Sequence, residues 1–424
     1  MAQMDLYDAP EPGGEGIESI AEVPGLPVPD SGVLTGGASE AGSDDARWKW
    51  PWDLSIFGES FWDFPIDFTA ALRQGYDTNV LTSRTDPIES AYTNISFGTA
   101  YEFGGPRLQL ATSLGFGVTY YYNRPGRPYD YSGSLNINLA YELNRKATIT
   151  FLNETRYVPD TDFQIVGGSI RNNDEYLYQS SNLSFSYLLS PRWSTLTSYN
   201  FTAFYYLDPV INEFQGRVSQ SLSESIRLLV KPTTTLSLIY RVNPVVYFGE
   251  DLNSFGNFLL AGVDHVFTPR WSVSLQGGAE YRLNQNPVDG QSTYLGPFLD
   301  SSIRYQFGPR STLVGSVRYG TEASDVRNVT QTTVFRFGLN AEHGITRRLS
   351  VSLGLNYQNR YYDQPNVIPD YTEQVFSISA GTKFKINRVF SLEAGYSYSA
   401  ITSIEQPSND YTRQIIFIGG AIEI

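Results

Sequence analysis

Cysteine is absent from this chain of 424 residues, and histidine occurs twice, as His265 and His343. The first absence excludes a disulfide framework, a thiolate nucleophile and a cysteine-bound zinc. It fits a chain that crosses an oxidising compartment unfolded. Long apolar runs are missing as well. The longest are short stretches such as Ile415–Ile418, far below the ~18 residues of a membrane helix. Leucine-rich helical heptads are lacking. There is no basic excess either: 44 acidic against 30 basic residues give a net charge of -14, which argues against nucleic acid as a partner. Neither histidine stands with a Ser and a carboxylate at a triad-like spacing, so both read as interfacial residues. No cluster has metal-ligand spacing. These absences lead us to expect no enzyme, no cofactor and no metal.

What the chain does have is a turn about every 40 residues. Gly105-Pro106-Arg107, Asn144-Arg145, Pro191-Arg192, Lys231-Pro232, Pro269-Arg270, Pro309-Arg310, Thr346-Arg347-Arg348 and Asn387-Arg388 mark it. Stretches that alternate apolar with polar flank each turn. Leu349, Val351, Leu353, Leu355 and Tyr357 fall on one face, and Ser350, Ser352, Gly354, Asn356, Gln358 and Arg360 on the other. Leu135, Ile137, Leu139 and Tyr141 repeat the pattern, as do Trp271, Val273, Leu275, Ala279 and Tyr281. A period of two follows from the pleat of a β-strand. The chain therefore reads as one hairpin after another.

The polar face separates a barrel in lipid from a soluble sandwich. It carries Ser, Thr, Asn, Gly and scattered Arg, where a sandwich would show many Lys and Glu to water. Mean hydropathy is only -0.26, as it must be when every second residue of a strand faces lipid. Aromatic residues gather at strand ends: Trp193 and Trp271 after their turns, and Tyr120, Tyr121, Tyr361 and Tyr362 at the opposite ends. These positions suggest two interfacial girdles. We expect an all-β, transmembrane, antiparallel up-and-down barrel of about 18 strands over residues 65–424. Short turns would be periplasmic and longer loops extracellular, leaving both termini in the periplasm.

Residues 1–46 read as a disordered, acidic Pro/Gly-rich arm, with ten acidic residues and no basic one before position 46. Residues 47–64 hold four of the six Trp and read either as an interfacial segment or as an aromatic cluster on the barrel. The start Met1-Ala2-Gln3 lacks a secretory pattern. We expect that a signal peptide has been removed.

Alternation sends a set of charges inward. Arg73, Arg241, Arg318 and Arg336 are expected near mid-height, and Arg156, Arg282 and Arg360 nearer the outer mouth. Such arginines form either an anion-attracting ring or cross-strand pairs with Glu154, Glu280 or Asp300 that stiffen the wall. Glu102, Glu142, Glu342 and Glu393 are expected near the turns. Loop 158–175, with Asp160, Asp162 and Arg171, or else the N-terminal arm, is a candidate constriction.

The first strand ending in Gly75-Tyr76-Asp77-Thr78-Asn79-Val80, together with the repeated Pro/Asn-Arg turns, resembles the putative beta-barrel porin-2 family of Gram-negative outer membranes, over about residues 60–424. The resemblance implies a channel, and some members are similar to proteins of exopolysaccharide export. It brings no catalytic residues. The expected function is passive or weakly selective diffusion of small hydrophilic solutes across the bacterial outer membrane. A polysaccharide export or assembly component, or a plugged structural barrel, stays open as an alternative. The partners expected are outer-membrane lipid and lipopolysaccharide, with a periplasmic partner for the arm and a homo-oligomer left open.

Overall fold

A computed structural model of the chain describes residues 66–159, 175–249, 252–285, 292–324, 329, 331–362, 371–405 and 410–424. The arm 1–46, the segment 47–64 and most of loop 158–175 lie outside the described residues. The strands are β1 (Ile66–Asp77), β2 (Ser90–Gly104), β3 (Leu108–Tyr121), β4 (Tyr129–Asn144), β5 (Ala147–Val158) and β6 (Tyr176–Leu188). Next come β7 (Trp193–Tyr206), a short helix α1 (Pro209–Gln215), β8 (Arg217–Lys231), β9 (Thr234–Tyr247), β10 (Ser254–Thr268) and β11 (Trp271–Asn284). The chain ends with β12 (Thr293–Gly308), β13 (Ser311–Ala323), β14 (Gln331–Gly344), β15 (Leu349–Tyr362), β16 (Tyr371–Lys385), β17 (Phe390–Ser403) and β18 (Tyr411–Glu423).

All 18 strands form one antiparallel sheet in which each pairs with its sequence neighbours, and β1 also pairs with β18. The sheet therefore closes into an up-and-down barrel. Closure runs to the last residue: the Ile424 N–H donates to the Phe68 carbonyl at 2.9 Å and Phe68 N–H returns the bond at 2.8 Å. A closed ladder pairs backbone groups within the wall, which is what lipid demands.

Eight tight turns close one end of the barrel, the turn end, and longer loops lie at the other, the loop end. Short side chains stabilise several turns by accepting backbone N–H bonds, as Asx and Ser/Thr turns do. Asn387 Oδ1 accepts from Val389 and Phe390. Thr346 Oγ1 accepts from Arg348 and Leu349, and Ser190 Oγ from Arg192 and Trp193. The Pro-Arg and Asn-Arg signatures thus mark turns whose geometry is held by the residue just before or within them.

The outer wall is apolar. Leu72, Phe97, Leu114, Leu259, Ile416 and Ile418 are each more than half exposed. A contiguous apolar surface encircling the molecule has no place in water. Aromatic residues bound the belt. On β11, Trp271 near the turn end and Tyr281 near the loop end both face out. Ten residues separate them, a height of about 25 Å for a tilted strand. The paired tyrosines at strand ends correct one expectation: Tyr361 faces out at 41% exposed, while Tyr121 and Tyr362 are 1% and 0% exposed and point inward. Adjacent residues of a strand must take opposite faces, so only one of each pair can belong to a girdle.

Leu353 stands in the outward register of β15 at 45% exposed. Leu353→Arg should cost roughly 2–4 kcal/mol near the midplane and reduce the fraction that assembles in lipid. Normal assembly, read by heat-modifiable electrophoretic mobility, would contradict this register.

Candidate functional site: the inner wall of the barrel

Alternation puts small polar residues on the inner face. On β8, Ser219, Ser221, Ser223 and Ser225 follow one another inward, with Arg217 and Arg227 at the two ends. Apolar side chains interrupt this lining: Ile239 of β9, Phe258 and Leu260 of β10 and Phe298 of β12 form a buried inward cluster. The inner wall is therefore less uniformly polar than the sequence suggests.

A run of facing charges crosses β12 to β15. Asp300 of β12 lies opposite Arg318 of β13, Arg318 opposite Arg336 of β14, and Arg336 opposite Gln358 of β15. Two arginines facing each other would repel. Acids flank them. Arg336 Nη2 donates to Glu322 Oε2 at 2.5 Å, and Asp300 lies within electrostatic reach of Arg318 and Arg241. Arg241 sits 5.7 Å over the Phe258 ring and 5.6 Å over Phe298, and Arg318 sits 5.5 Å over Phe298 as well. Aromatic faces attract guanidinium charge, so the apolar cluster carries these two cations. Nearer the loop end, Arg282 Nε donates to Glu280 Oε1 at 2.8 Å. Arg360 Nη1 lies 3.8 Å from Glu373 Oε1, and its Nη2 donates to Gln358 at 2.7 Å.

Arg217, Arg241, Arg282, Arg318, Arg336 and Arg360 thus share the half of this sector from mid-height to the loop end with Glu280, Asp300, Glu322 and Glu373. Six cations against four anions leave an excess of two positive charges. Arg217 stands 4.7 Å over Phe204. It was not singled out from sequence, although it follows a loop and begins the inward register of β8.

The remaining expected residues lie elsewhere. Arg73 is on β1, nine strands around the barrel from β10. It donates to Glu393 of β17 at 3.1 and 2.9 Å. It stands on the opposite wall from the other three arginines. Arg156 pairs with Glu154 two residues before it on β5. A further pair, missed from sequence, spans the closure of the barrel: Arg413 of β18 donates to both carboxylate oxygens of Asp77 of β1 at 3.1, 3.0 and 2.6 Å. Both are buried, at 5% and 0% side-chain exposure.

The histidines stand on the outer face near turns. His343 Nδ1 is 2.7 Å from Ser311 Oγ, a juxtaposition that sequence spacing did not reveal. His265 Nδ1 is 2.8 Å from Thr234 Oγ1 in an equivalent place on another hairpin. A repeated hydroxyl–imidazole pair, with no orienting group on the second ring nitrogen among the described residues, is a turn-stabilising contact. No group of three or more metal-ligating side chains occurs among the described residues.

The model of the family described as Putative beta-barrel porin 2 matches residues 292–423. That span is β12 to β18, including Asp300, Arg318, Glu322, Arg336 and Arg360. No curated protein matches the chain. Among solved structures, Pseudomonas aeruginosa OpdK with vanillate is 9% identical, with a TM-score of 0.46, covering 85% of this chain and 99% of that one. Pseudomonas aeruginosa OccK2 (OpdF) is 8% identical at a TM-score of 0.47, covering 85% and 98%. Acinetobacter baumannii OccAB4 is 9% identical at 0.42, covering 85% and 99%.

Proposed function

We propose that the chain is a bacterial outer-membrane channel for passive or weakly selective diffusion of small hydrophilic solutes. One observation carries the reading: a closed 18-stranded wall that is apolar outside and lined inside by serine, asparagine and arginine. Barrels of this strand number are wide enough for an aqueous path. The excess of two positive charges in the inner sector favours anions. The turn end, where both Ile66 and Ile424 lie, faces the periplasm, as short turns do in such barrels.

Planar-bilayer recording of the refolded chain, with and without residues 1–60, tests this. Discrete conductance steps with a reversal potential leaning to anions are expected from the full chain. Steps only after truncation would make the arm a plug. Silence from both, with the barrel shown to be folded, would favour a structural or export-partner role instead.

A further inference from the structure

The seam between β12 and β13 is cut short at the loop end. From the turn end, β12 and β13 pair from Gly308 opposite Ser311 up to Leu299 opposite Tyr319, and there the ladder stops. β12 continues to Thr293 bonded only to β11. β13 continues to Ala323 bonded only to β14. The register, carried two steps further, would set Pro297 opposite Thr321. Proline has no N–H to give to a partner strand and is tolerated in sheets at edges and irregularities. The strands part where proline would have had to donate.

The freed end of β13 turns inward and is caught there. Thr321 N–H donates to Glu280 Oε2 of β11 at 3.3 Å, and the Thr321 carbonyl accepts from Arg282 Nη2 at 3.0 Å. Glu280 and Arg282, bonded to each other and exposed by only 0% and 3%, supply the acceptor and donor that β12 does not. At Gly320 a Cβ would come within 2.9 Å of the Phe298 ring, so glycine suits the place where β13 passes over that side chain. The Ser324 carbonyl accepts from Tyr247 Oη of β9 at 2.6 Å, and Ala323 packs on Val245, Tyr247 and Leu252. On the other flank Val329 packs with Tyr362 of β15 and Tyr371 of β16. Glu322 lies in the electrostatic reach of Arg217 of β8, five strands away, as well as of Arg318, Arg336 and Arg360. Ala323 and Ser324 thus pack inward against β9, and Val329 against β15 and β16.

We infer that the inward end of β13, Thr321–Ser324, is the constriction of the channel, with Glu322 at its lining, and that Glu280 and Arg282 are the clasp holding it inward. The inference rests on the channel reading above. It assigns the selectivity of the path to Glu322 and its arginine neighbours. It also makes the clasp a positioning device whose release widens the path.

The full chain carrying Glu280→Leu and Arg282→Met together tests the clasp, since removing both charges leaves neither buried alone. Single-channel conductance is expected to rise about twofold or more, as flow follows the narrowest cross-section. A silent wild type with a conducting variant would support the same arrangement in a tighter form. A conducting wild type with an unchanged variant would overturn the constriction and leave the channel standing. Silence from both, with folding verified by heat-modifiable mobility, would overturn the channel reading and the constriction with it. Should the double variant fail to assemble, Glu322→Cys in this cysteine-free chain gives a second test. A bulky thiol-directed reagent added to open channels should lower the current stepwise; no change with labelling verified by mass would overturn the assignment of Glu322.

Discussion

Asp77→Ala is expected to cost about 3–5 kcal/mol, because it leaves the Arg413 guanidinium buried and without its carboxylate. The acid accepts from Arg413 through three close contacts and from the Asn79 backbone N–H at 2.9 Å. The pair ties β1 to β18, so the loss falls on the one ladder whose strands are not consecutive in the chain. Urea titration of the refolded barrel in lipid vesicles would measure it. Replacing both partners, as Asp77→Ala with Arg413→Met, should be much less harmful, since neither charge is then stranded. Equal losses in the single and double variants would mean that the ion pair is not what the closure depends on.

Neutralising Arg241, Arg318 and Arg336 together should turn a channel that leans to anions into one that prefers cations. Removing three of the six arginines leaves three against the four carboxylates of that sector, a net of minus one. Each charge within about 4 Å of the path is worth about 1 kcal/mol even at the dielectric of water, or about fivefold in relative permeability. Reversal potentials across a salt gradient read the change directly. Arg73, paired with Glu393 on the opposite wall, serves as the control: Arg73→Met should move the reversal potential far less. If the triple variant kept its wild-type reversal potential, the arginine sector would not line the solute path.

The barrel itself was legible because a single periodicity encodes it. Alternation and turns recurring about every 40 residues are local signals, and each strand pairs with its neighbour in the chain. Inward or outward parity was equally local, so Glu280, Arg282 and Arg360 could be assigned to a face by counting. The position of a residue around the circumference was not. Nothing near Arg73 in the chain says that it meets Glu393, 320 residues away, while Arg318 faces Arg336. Two tyrosines side by side, as at 361 and 362, were read as one girdle although the pleat separates them. The helix α1 did have a local signal that went unread: Asp208 accepts from the N–H groups of Val210 and Ile211, and Pro209 fills the first turn, a usual N-terminal arrangement. Pro297 could be recognised as a disruptive strand residue, but what it disrupts depends on the partner strand. The inward path of β13 follows from Glu280 and Arg282 two strands away, a relation only the folded sheet contains.

The closing ladder has a consequence for the timing of folding. Seventeen of the eighteen strand junctions join segments adjacent in the chain and can form as soon as their hairpin or loop exists. The last joins Asp77 to Arg413 across 336 residues. Contacts of such long sequence separation are slow, because the chain entropy is lost before the contact forms. Until that step, β1 and β18 present unpaired N–H and carbonyl groups along their length, ready to add a strand from any neighbouring chain. Assembly therefore passes through an open sheet with two reactive margins, and whatever escorts the chain to its membrane has those two margins to cover.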